Sequence, residues 1–331
     1  MEKYIASATR YDGTTQYKRC GESGILLPKV SLGFWHNFGN LTPYERSREI
    51  ALCAFDHGIT HFDLANNYGP EPGEAESRLG KILKDDLAPY RDELFICTKA
   101  AYDMWDGPYG SWASRKHLTA SLDQSLRRLG LDYVDLFYCH RYDPNTPLDE
   151  TLQTLVDIVH SGKALYVGIS RWPLEALRYG MRYLKEHGVP MLIYQGRFHL
   201  LDRAPHEEGI LDELQSEGKG FISFSPLAQG LLTDRYLNGI PEGSRMTEGR
   251  FLKQNVLTQE LLDKLRALNN LAQLRGESLA QMSLAWILNH KVVTSVLVGA
   301  SSTQQLETNL KCMQSAPFSD DELDIIERIL K

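Results

Sequence analysis

The strongest constraint on this chain is a rhythm. Eight short apolar runs recur along its 331 residues, at Val30–Phe34, Ile59–Leu64, Leu94–Thr98, Val134–Cys139, Ala164–Ile169, Met191–Tyr194, Gly220–Phe224 and Ser295–Val298. Most are rich in β-branched or aromatic residues, as strands buried on both faces are. Between them the spacing becomes helical: Ile50, Cys53, Ala54 and His57; Leu118, Leu122, Leu126 and Leu129; Leu152, Leu155, Val156 and Val159; Leu174, Leu177, Met181 and Leu184. Such spacing gathers side chains on one stripe of a helix. Alternating units of this kind imply a parallel sheet with right-handed crossovers. Eight of them predict an α/β fold closed into a (β/α)8 TIM barrel, not an open doubly wound sheet. No G-x-G-x-x-G follows the first run, so the dinucleotide fingerprint of the open sheet is missing.

Three segments fall outside the eight units. Gln16–Lys18 and Leu26–Lys29 flank Cys-Gly-Glu-Ser-Gly, which predicts a β-hairpin over 16–29 closing the barrel floor. Leu232–Thr258, polar and Gly-rich, predicts a long functional loop after the seventh strand. Patterns around Leu279–Leu288 and at Leu323, Ile326 and Leu330 predict extra helices outside the ring. All of 1–331 reads as one barrel domain.

Charge narrows the partners. Lys and Arg number 36 against 43 Asp and Glu, for a formal net charge of -7, with no dense basic run. That excludes nucleic acid and anionic lipid as partner classes. The five cysteines are odd in number, widely spread and in no zinc-ligand spacing, the usage of a reducing compartment with no metal site expected. Met1–Tyr17 has no apolar core of a signal peptide, and no stretch approaches the ~20 apolar residues of a membrane helix. A cytoplasmic location is expected.

In such a barrel the reacting groups come from the C-terminal strand ends. The second run carries Asp63 near its end and leads to Tyr68; Lys99 directly follows the third, and His140 directly follows the fourth. A free tyrosine, with a pKa near ~10, is a weak acid catalyst at neutral pH. A buried ammonium beside it favours the phenolate and lowers that pKa. Such a lysine needs a partner, and Asp63 is the obvious one. A histidine nearby holds a carbonyl oxygen against the phenol. Taken singly, Asp63 reads equally as a helix cap, Tyr68 as a wall residue and His140 as a structural imidazole. Together they describe protonation of a carbonyl oxygen while another agent delivers hydride to its carbon.

Gly58–Gly69 (GITHFDLANNYG), Phe95–Lys99, Tyr133–His140 and Val298–Asn309 resemble the aldo-keto reductases across nearly the whole chain. Asn66 to Pro70, Tyr102 to Trp105, His140-Arg141 with Asp143 to Pro147, and Gly162 to Tyr166 are similar to the branch of bacterial L-glyceraldehyde 3-phosphate reductases and potassium channel β-subunits. The resemblance implies Tyr68 as general acid, Lys99 and Asp63 as its tuning pair, and His140 as the substrate-orienting group. It implies NADPH, with NADH as the alternative, and small aldehydes such as L-glyceraldehyde 3-phosphate or methylglyoxal. A slow, nucleotide-sensing oligomeric subunit is the rival, and an aldolase using Lys99 a weaker one. A homo-oligomer, a tetramer or larger, is expected.

The same resemblance distributes the cofactor. Ser170, Arg171 and Gln195 match residues holding the nicotinamide amide, and Trp35 lies beside it. Ser225, Pro226, Leu227 and Gly230 match the pyrophosphate loop, and Arg235 and Arg245 match cations of the covering loop 232–258. Ser301, Gln305 and Asn309 match the site of the adenosine 2′-phosphate and adenine, where a helix N-terminus favours phosphate. Two departures weaken the NADPH preference: Ser302 where several relatives have arginine, and Thr308 where they have glutamate. For the substrate rim the expected residues are Phe34, Trp35, Trp105 and Arg197, because aromatic walls exclude water.

Overall fold

The computed structural model describes residues 3–69, 71–242, 245–248 and 252–331. A hairpin of β1 (Tyr17–Arg19) and β2 (Leu26–Pro28) comes first. Eight parallel strands then close into a barrel in chain order: β3 (Val30–Gly33), β4 (His61–Asp63), β5 (Phe95–Ala100), β6 (Val134–Cys139), β7 (Ala164–Ser170), β8 (Ile193–Arg197), β9 (Gly220–Phe224) and β10 (Val293–Val298). β10 pairs with β3 to complete the ring. Among the described residues, no helix is long and apolar enough to cross a membrane.

The ring helices are α1 (Tyr44–Asp56), α2 (Glu74–Ile82), α3 (Arg115–Leu129), α4 (Leu148–His160) and α5 (Leu174–Glu186), followed by short α6 (Ala204–Glu207) and α7 (Ile210–Ser216). Between β9 and β10 lie α8 (Arg245–Glu248), α9 (Gln259–Leu274) and α10 (Leu279–Leu288). α11 (Thr303–Leu310) and α12 (Asp320–Leu330) end the chain.

One expectation needs correcting here. α10 does not sit outside the ring: it packs directly on β10, with Leu279, Met282, Leu284, Trp286 and Ile287 all buried. A helix apolar on every side must be covered on every side. The outer helix is α9, which buries one stripe, Leu265, Leu268, Leu271 and Ala272, and packs against α10 and α12. The long loop 232–258 is also less loose than its polarity implied. Leu232, Tyr236, Met246 and Leu252 are buried and pin it to the barrel.

Strand alternation sorts the core into two layers. Outward residues such as Phe62, Ile96, Phe137 and Tyr194 pack against the helices. Inward ones, Cys97, Leu136, Tyr138, Ile193, Ile222 and Leu297, fill the lumen, and Cys20 and Leu27 of the hairpin plug its floor. Gly168 on β7 makes room for the Tyr138 ring: a Cβ there would lie 2.4 Å from it. The five cysteines are free, with Cys20, Cys97, Cys139 and Cys312 buried and Cys53 half-buried.

Several strands outrun their apolar runs at the C-terminal end: β5 through Lys99 and Ala100, β7 through Ser170, β8 through Gln195 and Arg197. Hydrophobicity stops where the strand enters the mouth, and the hydrogen-bonded ladder continues past it.

Candidate active site

The inward face of the strands carries the chemistry. Asp63 on β4, Lys99 on β5 and Gln195 on β8 all point into the lumen at its C-terminal end, and His140 follows β6 directly. The period of two that hides Leu136 and Ile193 lower down raises the polar groups at the top.

Lys99 is fully buried, yet fully satisfied. Its Nζ donates to Asp63 Oδ2 at 2.5 Å, to the Leu64 carbonyl at 2.6 Å and to Tyr68 Oη at 3.5 Å. Burial acts to lower its pKa, but Asp63, Tyr68 and Cys97 outweigh it and hold the ammonium above its usual range. Asp63 is likewise saturated: Gln195 Nε2 and the Cys97 thiol each donate to its Oδ1 at 3.0 Å. Tyr68 lies half-buried at the cavity wall, its ring 5.7 Å from that of His140.

The phenol itself corrects one expectation. Burial pushes the Tyr68 pKa up to about 12, and the Lys99 charge only opposes that rise. Lys99 therefore counters desolvation instead of carrying the phenol toward neutrality, and Tyr68 keeps its proton at neutral pH. His140 moves the other way: burial, then the charges of Lys99, Arg171 and Arg141, lower it well below the usual range. It is a neutral imidazole whose buried Nδ1 has no hydrogen-bond partner among the described residues.

These groups open onto a cavity of about 1240 Å³ whose wall includes Trp35, Tyr68, His140, Arg171, Gln195 and Ser225. Four wall residues, Arg171, Ser225, Ala228 and Gln229, have left-handed backbone with φ between 47° and 59°. Non-glycine residues adopt that conformation at a cost, and such strain concentrates at sites.

Other expected residues lie elsewhere. Phe34 is fully buried in the outer layer, its ring 4.0 Å from Phe38 and 5.4 Å from Phe62, and it does not reach the cavity. Trp105 packs on His117, 4.9 Å away, beyond the cavity wall. Arg197 does reach the wall, but its charge is already matched by Asp202 at 2.5 Å. Ser170 donates to the Gln195 carbonyl and is buried. After β9, Pro226 is buried, Leu227 half-buried and Gly230 turns at φ 102°. Arg235 is exposed in the loop, and the Arg245 side chain and Pro70 lie outside the described residues. Ser301 and Gln305 hydrogen-bond one another near the start of α11, and Asn309 is buried. Ser302 is spent as the α11 N-cap, accepting from Gln305 N.

Tyr102 escaped the sequence reading of the site. Its ring stands edge-on to His140 at 4.7 Å, and Arg171 donates to its hydroxyl at 2.9 Å. Arg141 braces it from behind, 4.4 Å from the Tyr102 ring and 3.7 Å from that of Trp112. An aromatic residue two positions past a strand end was the available signal.

At the mouth of the parallel barrel, then, a buried lysine bridges a carboxylate and a phenol. Residues 29–331 match the aldo/keto reductase family, and the chain belongs to it, as an oxidoreductase. It is 54% identical to L-glyceraldehyde 3-phosphate reductase of Escherichia coli strain K12 over 329 residues, covering 98% of this chain and 95% of the relative. The protein of the same name from Escherichia coli O157:H7 is 55% identical over the same shares. A probable voltage-gated potassium channel subunit beta of Arabidopsis thaliana is 32% identical over 321 residues, 96% of this chain and 97% of the relative.

Proposed function

We propose that this chain reduces small aldehydes with NADPH, as one barrel domain, with L-glyceraldehyde 3-phosphate and methylglyoxal-like compounds as its substrate class. The reading rests on one observation: fully buried Lys99 joins Asp63 at 2.5 Å and Tyr68 at 3.5 Å beside a neutral His140. The names of the Escherichia coli relatives support the substrate class.

Residues of the chain fit a nicotinamide nucleotide. Buried polar atoms without partners among the described residues, Gln229 Oε1 and Asn309 Nδ2, suit a polar guest. Gln195 offers its side-chain oxygen to a carboxamide, with Trp35 and Arg171 on the same wall. Ser225, Gly230 and Arg235 would hold the diphosphate, and Ser301, Gln305 and Asn309 the adenosine end. When bound, NADPH supplies a hydride to the carbonyl carbon.

The protein's part is the oxygen. Tyr68 donates its phenolic proton to it, and the Lys99 ammonium stabilises the phenolate left behind. Asp63 keeps Lys99 charged where burial would otherwise discharge it. His140 is a neutral ring that orients the oxygen, and Trp35 and Tyr102 shield the site from water. Removing one hydroxyl tests this: Tyr68→Phe abolishes reduction and leaves NADPH binding, read by fluorescence titration, nearly intact. Unchanged turnover would overturn Tyr68 as the acid.

A further inference from the structure

Below the reacting groups, the lumen holds a second set of polar side chains that the reaction does not touch. Cys97, His61, Ser31 and Ser295 are each fully buried. They form an unbroken line: Cys97 Sγ lies 3.0 Å from Asp63 Oδ1 and 3.4 Å from His61 Nε2, His61 Nδ1 lies 2.8 Å from Ser31 Oγ, and Ser31 Oγ lies 2.6 Å from Ser295 Oγ.

The direction of every bond follows from its upper end. A carboxylate accepts only, so the Cys97 thiol donates to Asp63. Having spent its proton, the sulfur accepts from His61 Nε2–H. A neutral imidazole has one N–H, so Nδ1 is bare and accepts from Ser31, which in turn accepts from Ser295. The ring is neutral because burial and the Lys99 charge outweigh the pull of Asp63, leaving its pKa at about 4. The line ends at Ser295 inside a barrel floored by Cys20 and Leu27, so it carries no proton to solvent.

We propose that Cys97, His61, Ser31 and Ser295 are positioning residues, a one-way string of dipoles that fixes the Asp63 carboxylate against Lys99 and thereby sets the ammonium beside Tyr68. This rests on the proposed role of Tyr68 and Lys99 and extends it. Lys99 and Tyr68 face Asp63 from the mouth, Gln195 from β8, and the string from below. Aligned hydrogen bonds in a low-dielectric interior reinforce one another, so the lowest members matter to the topmost.

Nitrogen-15 NMR of the wild-type protein reads the string without activity. His61 is expected as the Nε2–H tautomer, still neutral at pH about 5, well below the usual histidine value of ~6.5. The Nδ1–H tautomer, or titration near ~6.5, would overturn the proposal even if Tyr68→Phe behaves as expected. Kinetics then reads the consequence. Cys97→Ala lowers kcat about tenfold with KM for NADPH and aldehyde nearly unchanged, the loss of one hydrogen bond to a charged group. Cys97→Ser, which keeps a donor, restores most of it. Wild-type kcat in Cys97→Ala, or equal losses in both variants, would refute the string. If Cys97→Ala does not fold, the tautomer of the wild type decides.

Discussion

The lumen and the rim of this barrel hold their polar groups in opposite ways. In the lumen Asp63, Lys99 and Gln195 stand on strands and are tied to one another within hydrogen-bond distance. At the rim, Arg235 is exposed in the loop 232–258, and the exposed Ser301 and Gln305 side chains bond to each other. The lumen site is assembled by folding alone. The rim offers groups whose proposed partner, a phosphate-rich nucleotide, comes from outside. On the proposed reading, the catalytic geometry belongs largely to the strands and the cofactor selectivity to the loops.

The sharpest break in that comparison is Lys99→Met. It removes the charge beside Tyr68 and leaves Asp63 buried without its counter-ion, so kcat falls by orders of magnitude and stability by about 3–5 kcal/mol, measured by denaturant unfolding. Phe34→Ala separates folding from function in the same wall. It costs about 3–5 kcal/mol through the cavity left in the outer layer, while KM for aldehyde in the surviving folded fraction stays unchanged. A rise in KM without loss of stability would return Phe34 to the substrate rim.

Acid tests the buried imidazoles. His61, His140 and His199 have pKa values lowered chiefly by burial. Groups that stay neutral in the folded state and bind protons when unfolded stabilise above the unfolded pKa of ~6.5 and less below it. Stability should therefore fall as pH drops from about 6.5 toward 4, seen as a decline in Tm. A flat profile would mean that these imidazoles are not held neutral.

Rim changes should be milder. Arg235→Ala raises KM for NADPH severalfold and leaves Tm in place, because the side chain is exposed. Ser302→Arg is the smallest and the most informative. It trades an α11 N-cap, worth about 1 kcal/mol, for a cation beside the proposed 2′-phosphate site. Lower Tm with stronger preference for NADPH over NADH is the expected pair of results.

How much of this was legible in the sequence follows the same division. Eight runs gave eight strands, and Asp63, Lys99 and His140 could be placed at the barrel mouth because strand ends are fixed by periodicity. Phe34 and Trp35 show where that reasoning slipped. Adjacent residues leaving a strand point to opposite sides, so only one of them can face the cavity. Trp35 does, and Phe34 belongs to the helix layer. Arg197 could not be judged from its own position, since Asp202, which neutralises it, comes from the following turn. The placement of α10 was open to inspection, because an all-round apolar helix has no solvent face. The His61–Cys97 line was invisible, because β3, β4, β5 and β10 meet only when the ring closes.

The thiols carry a practical corollary. Four of five are sealed in different layers: Cys20 in the floor plug, Cys97 in the lumen, Cys139 in the wall and Cys312 in the turn after α11, against α10. Only half-buried Cys53 meets solvent, and burial with the neighbouring carboxylates pushes its pKa up to about 11. To a maleimide dye the native molecule is a slow single-cysteine protein, so a label can be placed on α1 without mutagenesis. Each further thiol that reacts on warming reports which layer has come apart.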